Sequence, residues 1–337
     1  MLRASSLLLL TAVVFGGFGF ACTDEKLTGS SSSGSSGGGE EEDAGVDDGA
    51  APDTTDAAPP PAGAVRIATY NVQNFFDTNC DTGQCQSGDY ERKFTAAQYE
   101  AKANSVASGV RRIGADVVLL EEIETEGCLT TLTTKLSNAY PHKQLGETNF
   151  NGSVDVAVLS KDPIAAVRTH RQDKFTLKDN RTVSFTREFL EVDLDRNGTL
   201  YTVFVGHFKA KVNDDPTLRL GEATEARRIV LDRMAQSPGR LIVFGGDLND
   251  VPGSAPINAL VAGGELVLAQ LRDLSGPSAY TEFSGGKGYS IDHLVIPGAL
   301  AERHIKGTSR IVQDAANKGL GGSDHVGLLA DFQISAP

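Results

Sequence analysis

The chain has 337 residues, 40% of them hydrophobic and 22% charged, and a formal net charge of −13. Residues 1–64 hold 10 acids and 2 bases, so of 44 acids and 31 bases, 34 and 29 remain in residues 65–337, and the body carries only −5. That balance excludes a strong nonspecific polyanion binder, which needs clustered Lys and Arg to release counterions, but not an enzyme gripping phosphate through a metal ion.

Met1-Leu2-Arg3 is a short basic start, followed by an apolar run, Leu7 to Phe20, of about 14 residues. Such a run is too short to span a bilayer comfortably and fits the core of a secretory signal, here residues 1–21. Gly19-Phe20-Ala21-Cys22 resembles a bacterial lipoprotein box, with Gly19 where a larger aliphatic is usual. Lipidation of Cys22 would anchor the chain to a membrane, at the periplasm or cell surface; ordinary cleavage near Ala21 would secrete it. Residues 22–64 are Ser/Gly-rich, then acidic, then close in Pro59-Pro60-Pro61. With so little apolar surface to bury, this stretch is expected to be a disordered tether. With Cys22 lipidated, Cys80, Cys85 and Cys128 remain, which predicts one disulfide and one free thiol, all three pairings open. A metal held by the three thiolates is disfavoured, because no histidine lies near them.

Val65–Tyr70 reads as a strand. Thr95 and Gln98 form a capping-box start, and apolar residues at Tyr99, Ala103, Val106, Val110 and Ile113 continue an amphipathic helix. Asp116–Leu120 is a buried-type strand, and Leu129, Leu132 and Leu136 mark a shorter helix. Strands follow at Val154–Leu159, Ile164–Arg168, Thr182–Leu194 and Leu200–His207, the last two joined by a turn at Asp195-Arg196-Asn197-Gly198. A long helix is predicted from Thr217 to Met234, then strands at Leu241–Gly245, Tyr289–Ile296 and His325–Phe332. Hairpins with a few flanking helices suggest two packed sheets with helices outside, in one domain over 65–337.

The strands end in acids, amides or imidazoles: Asn71, Glu121-Glu122, His207, Asp247-Leu248-Asn249, Asp292-His293 and Ser323-Asp324-His325. One such residue is usually a turn former; six such ends in one domain point to function, because strand ends are where a rigid sheet presents it. The segments ATYNVQNFFD (68–77), ADVVLLEEIE (115–124), VDVAVLSK (154–161), VGHFKAK (205–211), GGDLND (245–250), YSIDHLVI (289–296) and GGSDHVGLLADF (321–332) resemble, in order and spacing, the motifs of the endonuclease/exonuclease/phosphatase superfamily, which has the pancreatic deoxyribonuclease fold. HFKAK resembles the bacterial secreted nuclease branch, with Gly206 and Ala210 replacing its usual Asn and Ser. The resemblance implies an α/β (α+β) four-layer αββα sandwich of two packed mixed sheets with helices outside.

Phosphate-ester cleavage needs charge neutralised on nonbridging oxygens, an aligned water and a stabilised leaving oxygen. The resemblance implies Mg2+ as cofactor, with Mn2+ or Ca2+ as alternatives, held by Glu122 with Asn71 and Asp324 as neighbours. Glu121 alternates to the other strand face and reads as a solvated or structural acid. By the same resemblance, Asp247 and Asn249 would be the pair that orients water and contacts phosphate. The resemblance likewise implies His325 and His207 as the imidazole pair flanking the scissile phosphate, with Asp292 orienting His325 and Asp155 the expected partner of His207. Lys209, Lys211 and Arg187 either steer phosphate or are solvated charges. His142, His170, His293 and His304 lack such context. Phe75, Phe76 and Tyr289 read as core or rim.

The function expected is an exported, metal-dependent phosphodiesterase, a monomer degrading extracellular nucleic acid. Phosphomonoesters and sphingomyelin-like phospholipids are alternative substrates, since the fold hosts all of them. An inactive surface lipoprotein serving as a binding module is the alternative from another class.

Overall fold

Period-two apolar patterning becomes the strands of two six-stranded sheets stacked face to face. The computed structural model describes residues 59–335, within the compact unit Pro52–Pro337. The signal sequence, Cys22 and the tether as far as residue 58 lie outside the described residues.

In the first sheet the order is Arg310–Val312, Gly327–Gln333, Ala64–Phe75, Val117–Ile123, Asp155–Ser160 and His142–Gly146. The second runs Leu266–Leu268, Asp292–Pro297, Ile242–Asp247, Thr199–His207, Phe189–Arg196 and Ile164–Thr169. Each sheet has one parallel pair among antiparallel ones: Ala64–Phe75 with Val117–Ile123, and Ile242–Asp247 with Thr199–His207.

Alternate residues of one strand serve two cores. Val65, Ile67, Val117 and Leu119 meet Val192, Val203, Val243 and Leu294 between the sheets. Ala68, Tyr70, Val118 and Leu120 face outward under helices Ala96–Ile113 and Glu126–Lys135. Phe189, Phe204, Phe244 and Ile242 lie with Ala226 and Val230 of helix Pro216–Gln236. The result is the expected four-layer sandwich.

Helix Ala96–Ile113 starts as read, with the reciprocal Thr95–Gln98 capping box, and stops at Gly114 in a left-handed conformation (φ 61°). The hairpin turn places Asn197 and Gly198 at φ 55° and 86°, the geometry that matches strand twist.

Two predicted strands are broken. In 182–194 only Thr182–Val183 and Phe189–Arg196 are strand, because Glu222 accepts from Thr186 N (2.7 Å) and Oγ1 (2.6 Å) and draws the intervening chain off the ladder. In 289–296, Ile291 N and Asp292 N both donate to Thr281 Oγ1, separating Lys287–Tyr289 from Asp292–Pro297. Strand His142–Gly146 and helix Ala255–Leu260 were not foreseen; the one is a polar edge strand and the other too short for a clear period.

Candidate active site

Strand register assembles the site. Asp247 lies opposite His207 on its parallel neighbour and opposite Asp292 on its antiparallel one. In the first sheet Asn71 pairs with Glu121, and both strands bulge immediately afterwards. Gln73, Asn74 and Glu122 take positive φ (55°, 54°, 69°), an uncommon conformation outside glycine that is concentrated at functional sites. At this bulge Glu122 turns its carboxylate to accept from Asn71 Nδ2 (3.1 Å) and Asn74 N (2.7 Å).

Asn71 Nδ2 also donates to Asp247 Oδ2 (3.1 Å), joining the two sheets, while Asn71 Oδ1 accepts from Gln73 N (2.9 Å). As oriented, Asn71 positions the two carboxylates and keeps its own oxygen on the backbone. Asp247 Oδ2 lies 3.6 Å from His207 Nε2 and 3.9 Å from His325 Nε2. His325 Nδ1 is 2.9 Å from Asp292 Oδ2, and Ser323 Oγ fixes the chain there by accepting from His325 N and donating to Asn71 O. Asn249 (φ 53°) donates its N–H to Asp247 Oδ1 and its side-chain amide to Phe208 O. The cleft above is about 560 Å³, lined among others by Glu122, Arg187, His207, Asp247, Asn249 and His325.

Burial opposes the charged ring of His325, but Asp292, then Asp247 and Asp324, outweigh it and hold its pKa well above the usual imidazole value. His207 is driven the other way, by burial and then by Arg187 and His325, so it stays neutral. Asp247 is pushed up to about 7 by burial and by Asp292.

Residues 68–325 match the Endonuclease/Exonuclease/phosphatase family. The chain belongs to that family. Its members are phosphoric ester hydrolases that act on substrates such as nucleic acids and generally use divalent metal ions. Solved structures share the fold. Truncated TDP2 from Caenorhabditis elegans is 16% identical over 80% of this chain and 97% of its own, with a TM-score of 0.56. The human Nocturnin catalytic domain with bound sulfate anion is 15% identical over 82% and 97%, TM-score 0.56. A beta toxin from Staphylococcus aureus is 16% identical over 79% and 99%, TM-score 0.56. Identities this low speak for the fold alone. No curated protein matches the chain.

The donor set fits a hard cation. Asp324 Oδ1 is buried with no hydrogen-bond partner, and burial raises the Asp324 pKa. Donor atoms of Asp247, Asp292 and His325 lie within 4.8 Å of one another. Glu122, whose carboxylate is turned into the cleft at the bulge, and Asp324, with its unpartnered oxygen, are the residues that would hold such an ion.

Some expected residues sit differently. Asp155 accepts from Thr148 N (3.0 Å), Thr148 Oγ1 and Ser153 Oγ (3.1 Å); it makes no hydrogen bond to His207, whose Nδ1 is buried without a partner. The pairing of Asp155 with His207 is therefore corrected: local hydroxyl donors satisfy the carboxylate. Lys209 lines the cleft, but its ammonium donates to Ala210 O and Val212 O (2.7 and 2.6 Å), and Lys211 faces Asp250 at 3.5 Å. Glu121 is the structural rather than the solvated acid of its two readings. It is fully buried, accepts from Thr69 Oγ1, and burial together with Asp292 raises its pKa well above the usual carboxylate value. Cys80 and Cys85 form the disulfide, leaving Cys128 free and buried.

Sequence reading missed Lys102 on the first helix, where burial lowers the ammonium pKa to about 8 against the attraction of Glu122 and Asp324. It missed Glu282, bridged to His325, and the exposed rings of Tyr90 (58%) and Phe150 (63%) that line the cleft. Nothing in their spacing marks them; an aromatic amid polar residues in a loop is the one available hint.

Proposed function

We propose that the chain is an exported, divalent-cation-dependent phosphodiesterase acting on extracellular nucleic acid. The observation carrying this reading is the convergence of Asp247 with Asn71, His207 and His325 in one cleft beside Glu122. Export rests on the signal-like residues 1–21, with Cys22 proposed as a lipid anchor. Mg2+ is the proposed ion, since a small hard cation suits one or two carboxylates and a substrate phosphate; when bound it would neutralise the nonbridging oxygens.

The residues divide the remaining work. Asp247, set opposite His207 and Asp292 and within reach of both imidazoles, holds the attacking water and accepts its proton. His325, kept protonated by Asp292, donates from Nε2 to a phosphoryl oxygen. Neutral His207 offers a second donor from Nε2, and the free N–H of the Asn249 amide a third. Arg187 on the cleft wall attracts the next phosphate along a strand.

Parallel assays of the full chain on plasmid DNA, RNA, sphingomyelin vesicles and phosphomonoesters test the substrate. Turnover of nucleic acid well above the others is expected. Preference for sphingomyelin or monoesters would reject the nuclease reading, and no turnover of any would favour the binding-module alternative.

A further inference from the structure

Behind one wall of the catalytic cleft, the loop after strand Ala64–Phe75 folds back on itself through the Cys80–Cys85 disulfide. Within it Glu91, almost fully buried, accepts from Asp81 N (2.5 Å), Thr82 N (2.8 Å) and Thr82 Oγ1. Glu124, at the end of the neighbouring strand, is only 6% exposed. Its Oε2 accepts from Asp77 N (2.6 Å), but its Oε1 is buried and has no hydrogen-bond partner. One carboxylate oxygen from each of Asp81, Glu91 and Glu124 lies within 4.8 Å of the other two. None of the three makes an ion pair among the described residues.

A buried carboxylate oxygen left without a partner costs more than the net gain of an ordinary hydrogen bond, so its persistence calls for a ligand. Both nearby sulfurs are tied in the disulfide, which leaves an all-oxygen donor set and selects a hard cation. Oxygens around one Ca2+ at about 2.3–2.6 Å are separated by at most roughly 5 Å, as these are. Mg2+ keeps most of its waters and seldom takes three protein carboxylates. We infer that Asp81, Glu91 and Glu124 form a second cation site, selective for Ca2+ and separate from the catalytic centre. The same region opens on a depression of about 310 Å³ lined by Asp81, Glu124, Glu147 and Asn149, which leaves room for water to complete the coordination.

The site has a structural consequence. Asn151 Nδ2 donates to Asp81 O (3.4 Å), so the disulfide loop and the 147–153 loop meet there. These two loops carry Tyr90 and Phe150, the aromatic wall of the catalytic cleft. Bound Ca2+ therefore braces one wall of the cleft.

The test uses the full chain carrying Glu122→Gln, which weakens the catalytic cation site, stripped with chelator and melted by circular dichroism. Ca2+ is added to about 10 mM, above the roughly 10⁻⁴–10⁻³ M affinities of extracellular calcium modules. A rise in Tm of about 5 °C at a hundredfold excess over Kd is expected. The rise should vanish with Asp81→Asn, an exposed position where the fold is safe, and with Glu124→Gln. No Ca2+-dependent rise in the parent, or an equal rise in Asp81→Asn, overturns the inference. Because the readout is stability with the catalytic ligand replaced, either result stands whatever the substrate proves to be.

Discussion

His325 and Asp292 form a buried pair in which Nδ1 lies 2.9 Å from Oδ2, leaving Nε2 turned toward Asp247. The aspartate fixes both the orientation and the charge of the ring. Replacing Asp292 with Asn should lower turnover about 10²–10³-fold, within the range typical of a lost acid–base contribution. It should also bring the imidazole titration of the chelated protein, followed by NMR, down toward the ordinary value near 6.5. An unchanged His325 titration in Asp292→Asn would show that another group holds the proton.

Asp247 carries a sign that can be checked without substrate. Its folded pKa is raised from 3.8 to about 7, so the folded state holds a proton that the unfolded state has released. The group costs nothing below 3.8; the cost grows as pH climbs from 3.8 toward 7 and is complete above that. Urea unfolding of the chelated protein should show stability lost over that window, with the Asp247 contribution removed in Asp247→Asn and reduced by Mg2+. Stability rising through the same window with an unaltered slope in Asp247→Asn would contradict this assignment.

Gly246 supports the site through packing. Its φ of 152° is rare for other residues, and a Cβ there would stand 1.9 Å from Gly206 O on the adjacent strand. Backbone cannot retreat as a flexible side chain does, so Gly246→Ala should destabilise by about 3 kcal/mol and displace Asp247. Urea midpoints measure the first effect and turnover the second.

Much of this was legible in the sequence because strand ends and strand faces obey simple periods. Asn71, Glu122, His207, Asp247, Asn249, Asp292 and His325 could be nominated from motifs, and the strand register explains why they meet. What escaped depends on side-chain contacts that strand periods do not encode. The break at Ser184–Glu188 is caused by Glu222 on a distant helix, and the satisfaction of Asp155 by Thr148, seven residues away in an adjoining loop. The inward burial of Glu121 follows from the same alternation that turns Val117 and Leu119 between the sheets; what period-two counting does not anticipate is the bulge after it, which turns the Glu122 carboxylate into the cleft.

On the proposed nucleic-acid substrate, the exposed rings of Tyr90 and Phe150 would separate polymeric from small substrates. A base stacked on an aromatic ring contributes about 1–3 kcal/mol, so Phe150→Ala should raise KM on single-stranded DNA roughly tenfold. Hydrolysis of bis-p-nitrophenyl phosphate, which is too small to span the wall and the phosphate site together, should change little. Equal losses on both substrates would indicate a collapsed cleft rather than a lost stacking platform.

The most direct test of the central claim is the hydrolysis of bis-p-nitrophenyl phosphate by the full chain, before and after chelation and readdition of Mg2+, beside His325→Ala. The account predicts activity that disappears with chelator, returns with Mg2+, and is reduced at least about 10²-fold by the substitution. Activity that survives both chelation and His325→Ala would contradict it.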